Sequence, residues 1–252
     1  TCTRWAVVTT IFAPTAATKA VDQWGPNWYL LVIADKAGPD AAEYPLERGI
    51  YVSVEVQQSL AKASPLIAAL PWNHFGIKNV GYLIAALHGA EVVWDFDDDN
   101  VLNAAKAAGP LAWVLNSESG IIPAARKCRG PGAAFNPYPS MGATESPCWP
   151  RGFPLQDIKS EAASELACGH SAASIEANVT SKVAVLQALA GHDPDVDAIY
   201  RLTQPLPLYF NFEPEKILLV SRRTLSPYNA QATLHFKAGL FAMLLPVTVH
   251  GR

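Results

Sequence analysis

The sequence predicts an α/β fold, a mostly parallel sheet with flanking helices, on three observations. Short runs of β-branched and aromatic residues alternate with helix-patterned segments through the N-terminal part of the chain. One of those runs, Trp28 to Ala34, is apolar without alternation, as in a strand covered on both faces. Polar residues also stand at the carboxyl ends of three successive predicted strands, where open α/β sheets bind ligands. They are Thr9-Thr10, Asp35-Lys36 and the acidic run beginning at Asp95.

The elements follow in order. Trp5 to Phe12 reads as the first strand, and Thr15 to Trp24, Ala-rich and following Pro14, as a short helix. Trp28 to Ala34 is the second strand, which makes a strand–helix–strand unit with a right-handed crossover the expected start of the sheet. Ser53 to Ala63 reads as a helix and Leu66 to Leu70 as a short strand. From Lys78 to His88, Val80, Leu83, Ile84 and Leu87 recur at helical spacing, with Gly89 where a left-handed C-cap belongs. Glu91 to Trp94 is then a strand. Gly120 to Pro154 is a Pro/Gly-dense segment of the kind that carries function when ordered. Ala162 to Ala190 is weakly helical, Asp193 to Leu202 runs from a turn into a strand, a helix extends through Phe241, and Leu244 to Val249 closes as a strand.

The 252 residues are 50% hydrophobic and only 16% charged, which excludes a disordered chain and is enough for one large core. A net charge of -3 removes the basic field that nucleic-acid binding requires, so no nucleic acid is expected as a partner. No apolar run reaches the roughly 18–20 residues of a membrane span, and no signal peptide opens the chain. The four cysteines, Cys2, Cys128, Cys148 and Cys168, include no C-x-x-C pair, which argues against a zinc cluster. A bridge between Cys128 and Cys148 could tie down the loop they bracket; four thiols acting as small core hydrophobes are an equal alternative. Asn178-Val179-Thr180 is a glycosylation sequon, which matters only in a secretory compartment.

The chemistry centres on four carboxylates within five residues, Asp95 and Asp97 to Asp99. At low dielectric such a group must protonate or recruit a cation. An oxygen-rich cluster on a strand end suits Mg²⁺ or Mn²⁺, held by one or two carboxylates while substrate phosphate completes the shell. An EF-hand is excluded because Asn100 stands where that loop needs Gly and Lys106 where it needs Glu. The competing structural reading is an acidic turn that caps the Ala-rich segment after it. Phosphate-loop, nucleophile-elbow, zincin and dinucleotide fingerprints are missing from the sequence.

Several blocks together resemble the STELLO family of probable Golgi glycosyltransferases. They are Trp5 to Phe12 with Pro14-Thr15, Asp35-Lys36, Leu70-Pro71-Trp72-Asn73-His74-Phe75-Gly76 with Lys78-Asn79 and Gly81-Tyr82, and Asp97-Asp98-Asp99-Asn100. Phe135 to Pro139, Trp149 to Pro154, Asp193 to Thr203, Pro227 to Gln231 and Leu245 to Arg252 continue the likeness in order. The resemblance implies a GT-A-like fold with a mixed, mostly parallel sheet and a Rossmann-like nucleotide-binding half. It places residues 1–110 on the nucleotide-sugar and metal side and 111–252 on the acceptor side of a single domain. It further implies a type II membrane protein whose luminal domain works in the Golgi, joined to the membrane through an anchor outside this chain, with protein complex partners.

Under that resemblance the activity is transfer of a sugar from a UDP- or GDP-sugar to a glycan or glycoconjugate acceptor, with Mn²⁺ or Mg²⁺ offsetting charge on the departing diphosphate. Asp97 and Asp99 are the expected metal pair, because side chains two apart on an extended segment face the same way. Thr9, Thr10, Asp35, Lys36 and Asp98 would line the donor pocket, and Lys78 and Asn79 would meet phosphate at a helix start. Asp195 or Asp197 would serve as the general base, with Arg201 beside them and Arg151, in the aromatic loop, joining the catalytic set as a phosphate or acceptor contact. Tyr138, Trp149 and Arg201 would bind the acceptor, unless the two aromatics only pin their loop to the core. Two rival readings are a non-catalytic sugar-nucleotide-binding or scaffold domain, and a haloacid-dehalogenase-like phosphatase built on Asp95 and Asp97.

Overall fold

The computed structural model describes residues 3–100, 125–129, 134–160, 167–168, 183–211, 217–220 and 224–247. The chain divides into two compact units. The first comprises Thr1–Leu102, Thr180–Leu186 and Ala230–Arg252, and the second Asn103–Val179 and Gln187–Asn229. The later stretches Thr180–Leu186 and Ala230–Arg252 thus belong with the N-terminal part of the chain.

The first unit is built on a mixed, mostly parallel sheet. Its strands are β1 (Arg4–Thr10), β2 (Tyr29–Ala34), β3 (Ile50–Val52) and β4 (Val92–Phe96), with β7 (Val185–Gln187) and β9 (Ala232–Phe236) from later in the chain. The order is β3-β2-β1-β4-β9-β7. β1 pairs in parallel with β2 and β4, β2 in parallel with β3, and β9 runs antiparallel to β4. The flanking helices are α1 (Ala16–Asp22), α2 (Val54–Ala63), α3 (Pro65–Ala68) and α4 (Asn79–Leu87). This is the α/β, GT-A-like architecture that the sequence led us to expect.

Local chemistry sets the helix starts. Thr15 caps α1, Ser53 caps α2 and Ser64 caps α3, each accepting a backbone N–H of the first turn. Ser64 and Pro65 explain why Leu66 to Leu70 does not form the expected strand: an N-cap followed by Pro at the first helical position starts a helix. Gly89 takes φ 79 after α4, the left-handed conformation read from the sequence.

β1, β2 and β4 are buried on both faces. On one face Trp5, Val7, Leu31, Ile33 and Val93 pack with Val80 and Ala85 of α4. Alternation sends Ala6, Val8, Leu30 and Val32 to the other face, where they are equally enclosed. Gly81 lets α4 approach the sheet: an added Cβ would lie 2.5 Å from Val7 Cγ1 and 3.0 Å from Ile33 Cγ1.

The second unit carries a three-stranded sheet of β5 (Ala125–Arg129), β6 (Ala167–Cys168) and β8 (Ile217–Val220), in the order β6-β5-β8. Two short helices, α5 (Pro137–Ser140) and α6 (Ala198–Thr203), belong to it. Its core gathers Ala134, Tyr138, Cys148, Trp149, Phe153, Val196, Tyr200 and Leu208.

Several sequence expectations are corrected here. Residues 198–203 are helical, because Asp197 caps them. Residues 232–236 form β9 and not a helix; Ala232, Leu234 and Phe236 alternate with Thr233 and His235, the period of a strand, and only Lys237–Ala242 are helical, as 3-10 turns. Residues 244–247 form no strand. The weakly helical reading of 162–190 meets strand at Ala167–Cys168 and Val185–Gln187. The Ala-rich segment after Asn100 and the sequon at Asn178 lie outside the described residues.

Replacing Gly81 with Ala should cost about 1–3 kcal/mol, because Val7 and Ile33 are fully packed and cannot retreat. Denaturant unfolding of the variant beside the wild type measures it.

Candidate functional site

The carboxyl ends of β1, β2 and β4 lie side by side, since β1 is hydrogen-bonded to both neighbours. Thr10 ends β1 in a tight turn: its hydroxyl accepts from Phe12 N at 3.0 Å and donates to Asp98 Oδ2. Asp98 is thereby drawn from the loop after β4 onto the end of β1. Thr9, half-buried, donates to the Ile33 carbonyl at 3.1 Å and so links β1 to β2. Tyr44, which the sequence reading did not single out, is buried with its phenol near Thr18 and Thr10 and within the field of Asp98. Burial pushes that phenol up.

At the end of β2, Asp35 is structural. Oδ1 accepts from Lys36 N at 2.7 Å and Asn73 N at 2.8 Å, and Oδ2 accepts from His74 N at 3.2 Å. This buried carboxylate accepts three backbone N–H donors. It clamps the loop 71–75 to the sheet. Lys36 is exposed and lies over the Trp72 ring at 5.2 Å, leaving its charge at the sheet edge.

The acidic run departs most from expectation. Asp97 to Asn100 is a turn, closed by Asn100 N on the Asp97 carbonyl at 3.2 Å, so strand alternation does not relate Asp97 to Asp99. The pair that does share a face is Asp95 and Asp97, and Lys78 takes both. Lys78 Nζ sits 2.6 Å from Asp95 Oδ1 and 3.0 Å from Asp97 Oδ1, and it donates to the carbonyls of Phe96 at 2.7 Å and Ala230 at 3.0 Å. Lys78 and Asp95 are each 1% exposed. His235 of β9 approaches Asp95 from the neighbouring strand at 3.8 Å. The phosphatase reading fails here, because its nucleophile would be Asp95, enclosed and ion-paired.

Lys78 and Asn79 do not face a phosphate either. Asn79 is buried, and its amide donates to the Leu245 carbonyl at 2.9 Å while accepting from Leu245 N at 2.7 Å. The start of α4 is therefore committed to internal partners.

Charge remains on the loop. Among the described residues one ammonium, that of Lys78, is paired with this run, through Asp95 and Asp97. Burial raises the Asp98 pKa, with the charges of Asp99 and Asp97 adding to it against the Thr10 hydrogen bond. A carboxyl with a raised folded pKa supports the fold at low pH and withdraws that support as pH rises through the raised value. Ionising Asp98 in this setting carries a cost that a cation would offset. Among the described residues no three His, Cys, Asp or Glu side chains converge as a ready-made metal site. Exposed Asp99 and the outer oxygen of half-exposed Asp97 do fit a hard ion that takes one or two carboxylates and completes its shell on phosphate.

In the second unit Asp197 caps α6, with Oδ1 accepting from Tyr200 N at 2.8 Å and Oδ2 from Trp149 Nε1 at 2.8 Å. That occupation corrects its expected role as a base. Trp149 and Tyr138 are core residues, 2% and 3% exposed, so their ring faces are closed to a sugar. Arg201 pairs with Asp193 at 2.9 Å on the surface. Asp195 pairs with Arg151 Nε at 2.9 Å, and its carbonyl accepts from Arg151 N and from the Tyr138 hydroxyl. Arg151, exposed, borders a shallow groove with Gln187, Asp195, Tyr228 and Asn229.

Burial alone would pull the Lys78 ammonium down, but Asp95 and Asp97 outweigh it and hold its pKa above 10.5. The stability from this pairing is present below that value and is lost only as pH rises through the higher folded one. Replacing Lys78 with Met should cost about 3–5 kcal/mol by stranding a buried charge, and adding Asp95→Asn should restore part of it. Paired unfolding curves test this at neutral pH. Asp197→Ala should cost about 2–3 kcal/mol through the lost cap and the stranded Trp149 N–H, read the same way.

No protein-family model matches the chain. Two curated proteins of Arabidopsis thaliana, named probable glycosyltransferase STELLO1 and probable glycosyltransferase STELLO2, are each 26% identical to it over 258 aligned residues. The alignments cover 98% of this chain and 31% of each relative, so the chain spans about a third of the proteins it matches. The resemblance carried by the motifs is thus a similarity to the STELLO family that runs through nearly the whole chain.

Proposed function

We propose that this chain is the donor-binding part of a metal-dependent glycosyltransferase acting on a nucleotide sugar. The observation that carries the reading is the loop after β4, where Asp98 is anchored on Thr10 and more carboxylate is gathered than Lys78 can neutralise. The names of the two relatives support sugar transfer in general terms.

Asp99 and the outer oxygen of Asp97 would hold Mn²⁺ or Mg²⁺ against the donor's diphosphate. The ion would act as a Lewis acid on the departing diphosphate. The protein's own work is orientation. Lys78 fixes Asp97 by one oxygen, Thr10 fixes Asp98 beside it, and Asp35 holds the loop carrying Trp72 against the sheet edge. Lys36 supplies positive charge at that edge. Within the second unit Asp195, paired with Arg151, keeps the candidacy for a general base that Asp197, committed to its cap, has lost. The acceptor is read as a glycan or glycoconjugate, and the place of action as the Golgi lumen, with the chain as the luminal part of a type II membrane protein. No helix among the described residues is long and apolar enough to cross a membrane.

A thermal-shift titration of UDP- and GDP-sugars with and without Mn²⁺ tests the reading. A ligand at 100 times its Kd adds about 2.7 kcal/mol of stability. One nucleotide should raise the midpoint only with metal present, and Asp97→Asn/Asp99→Asn should abolish that rise. If neither nucleotide raises it under any metal, the donor-binding assignment fails.

A further inference from the structure

The small sheet of the second unit brings together two residues far apart in sequence. β5 and β6 are antiparallel, and their register sets Cys128 directly opposite Cys168. Directly opposed residues of an antiparallel pair have Cα atoms roughly 4.5–5.5 Å apart and project to one face of the sheet. A disulfide spans Cα separations of roughly 4.4–6.8 Å, so either kind of opposed pair falls within its reach. Backbone pairing alone therefore brings these two cysteines to bridging distance.

The other pairing open to Cys128 is disfavoured by where Cys148 lies. Cys148 is a free thiol, buried in the core beside Trp149 and Phe153. Burial, with the charge of Glu145, pushes that thiol up to about 12, which keeps it out of exchange at neutral pH. The Pro/Gly-rich loop is therefore not closed at its two bracketing cysteines.

We propose that Cys128 and Cys168 form a cross-strand disulfide that staples β6 to β5. The chemistry is two-step exchange with a small-molecule disulfide of the glutathione class. One cysteine thiolate attacks a sulfur of that disulfide, forming a mixed disulfide and expelling one small thiolate. The second cysteine thiolate attacks the protein sulfur, forms the S–S bond and expels the other. Two protein thiols are oxidised, one small disulfide is reduced to two thiols, and the two protons go to them. Among the described residues β6 is two residues long, a short pairing that such a bridge would secure. The inference stands apart from the sugar-transfer reading and survives or fails without it.

Cleavage after glutamate separates the three cysteines: Cys128 falls in 119–145, Cys148 in 146–161 and Cys168 in 166–176. The native protein is equilibrated with oxidised glutathione, unfolded with an alkylating agent present, digested and weighed before and after reduction. The expected product is peptide 119–145 joined to 166–176, splitting on reduction, with alkylated Cys148. In Cys128→Ser, Cys168 should lose its peptide link and appear alkylated or as a glutathione mixed disulfide that reduction removes, while Cys148 is unchanged. Alkylation of both Cys128 and Cys168 before reduction overturns the proposal. So does a link from either of them to Cys2 or Cys148.

Discussion

A single buried ammonium organises the first unit. Lys78 stands just before α4, yet its amine reaches the side chains of Asp95 and Asp97 and the carbonyls of Phe96 and Ala230. It therefore ties the end of β4 to the chain entering β9 and to the helix packed on the same face of the sheet. Burying a charge is tolerable only with this degree of partnering. The acidic turn inherits its position from that centre, because Asp97 is held by one oxygen before the chain turns to present Asp98 and Asp99. What the turn presents to solvent is the carboxylate that Lys78 does not absorb.

The same economy recurs around the sheet. Asp22 is buried and accepts backbone N–H groups from Glu47, Arg48 and Gly49, as Asp35 accepts those of Lys36, Asn73 and His74. Asn79 pairs with both backbone groups of Leu245 as a strand residue would. In each case a polar side chain satisfies the backbone of a loop that has no strand beside it, as buried backbone requires. The Asp35 and Asn79 clamps lie toward the carboxyl edge of the sheet, whereas Asp22 fixes the chain entering β3 at its amino edge, and in both places the clamps hold an irregular chain in a fixed position.

The second unit divides its motif residues between support and surface. Asn136, Trp149 and Asp197 form its internal hydrogen bonds: Asn136 binds the Cys148 carbonyl and Tyr138 N, and Asp197 binds Tyr200 N and the Trp149 indole. Arg151 and Asp195, from the same two motifs, remain at the surface as a pair. Proximity in sequence to a functional residue is no guide to function here, since a cap and a surface carboxylate stand two residues apart at Asp197 and Asp195.

The sequence by itself determined most of the strand and helix pattern of the N-terminal part, since long apolar strands and capped helices are local signals; the three-residue β3 and the helix at Pro65–Ala68 escaped it. Thr15, Ser53 and Gly89 act as they read. It also located the acidic turn at a strand end. It could not show which carboxylates the fold consumes. Asp95, Asp97 and Asp35 look alike as residues, and only the arrival of Lys78 or of loop N–H groups from elsewhere in the chain distinguishes them. The pairing of β9 with β4 was hidden for the same reason: 135 residues lie between Phe96 and its register partner Ala232, and nothing local to either records the other. Pattern along the chain encodes burial and period. Partnership at distance is decided by tertiary structure, because the energy of a buried polar group depends on what meets it.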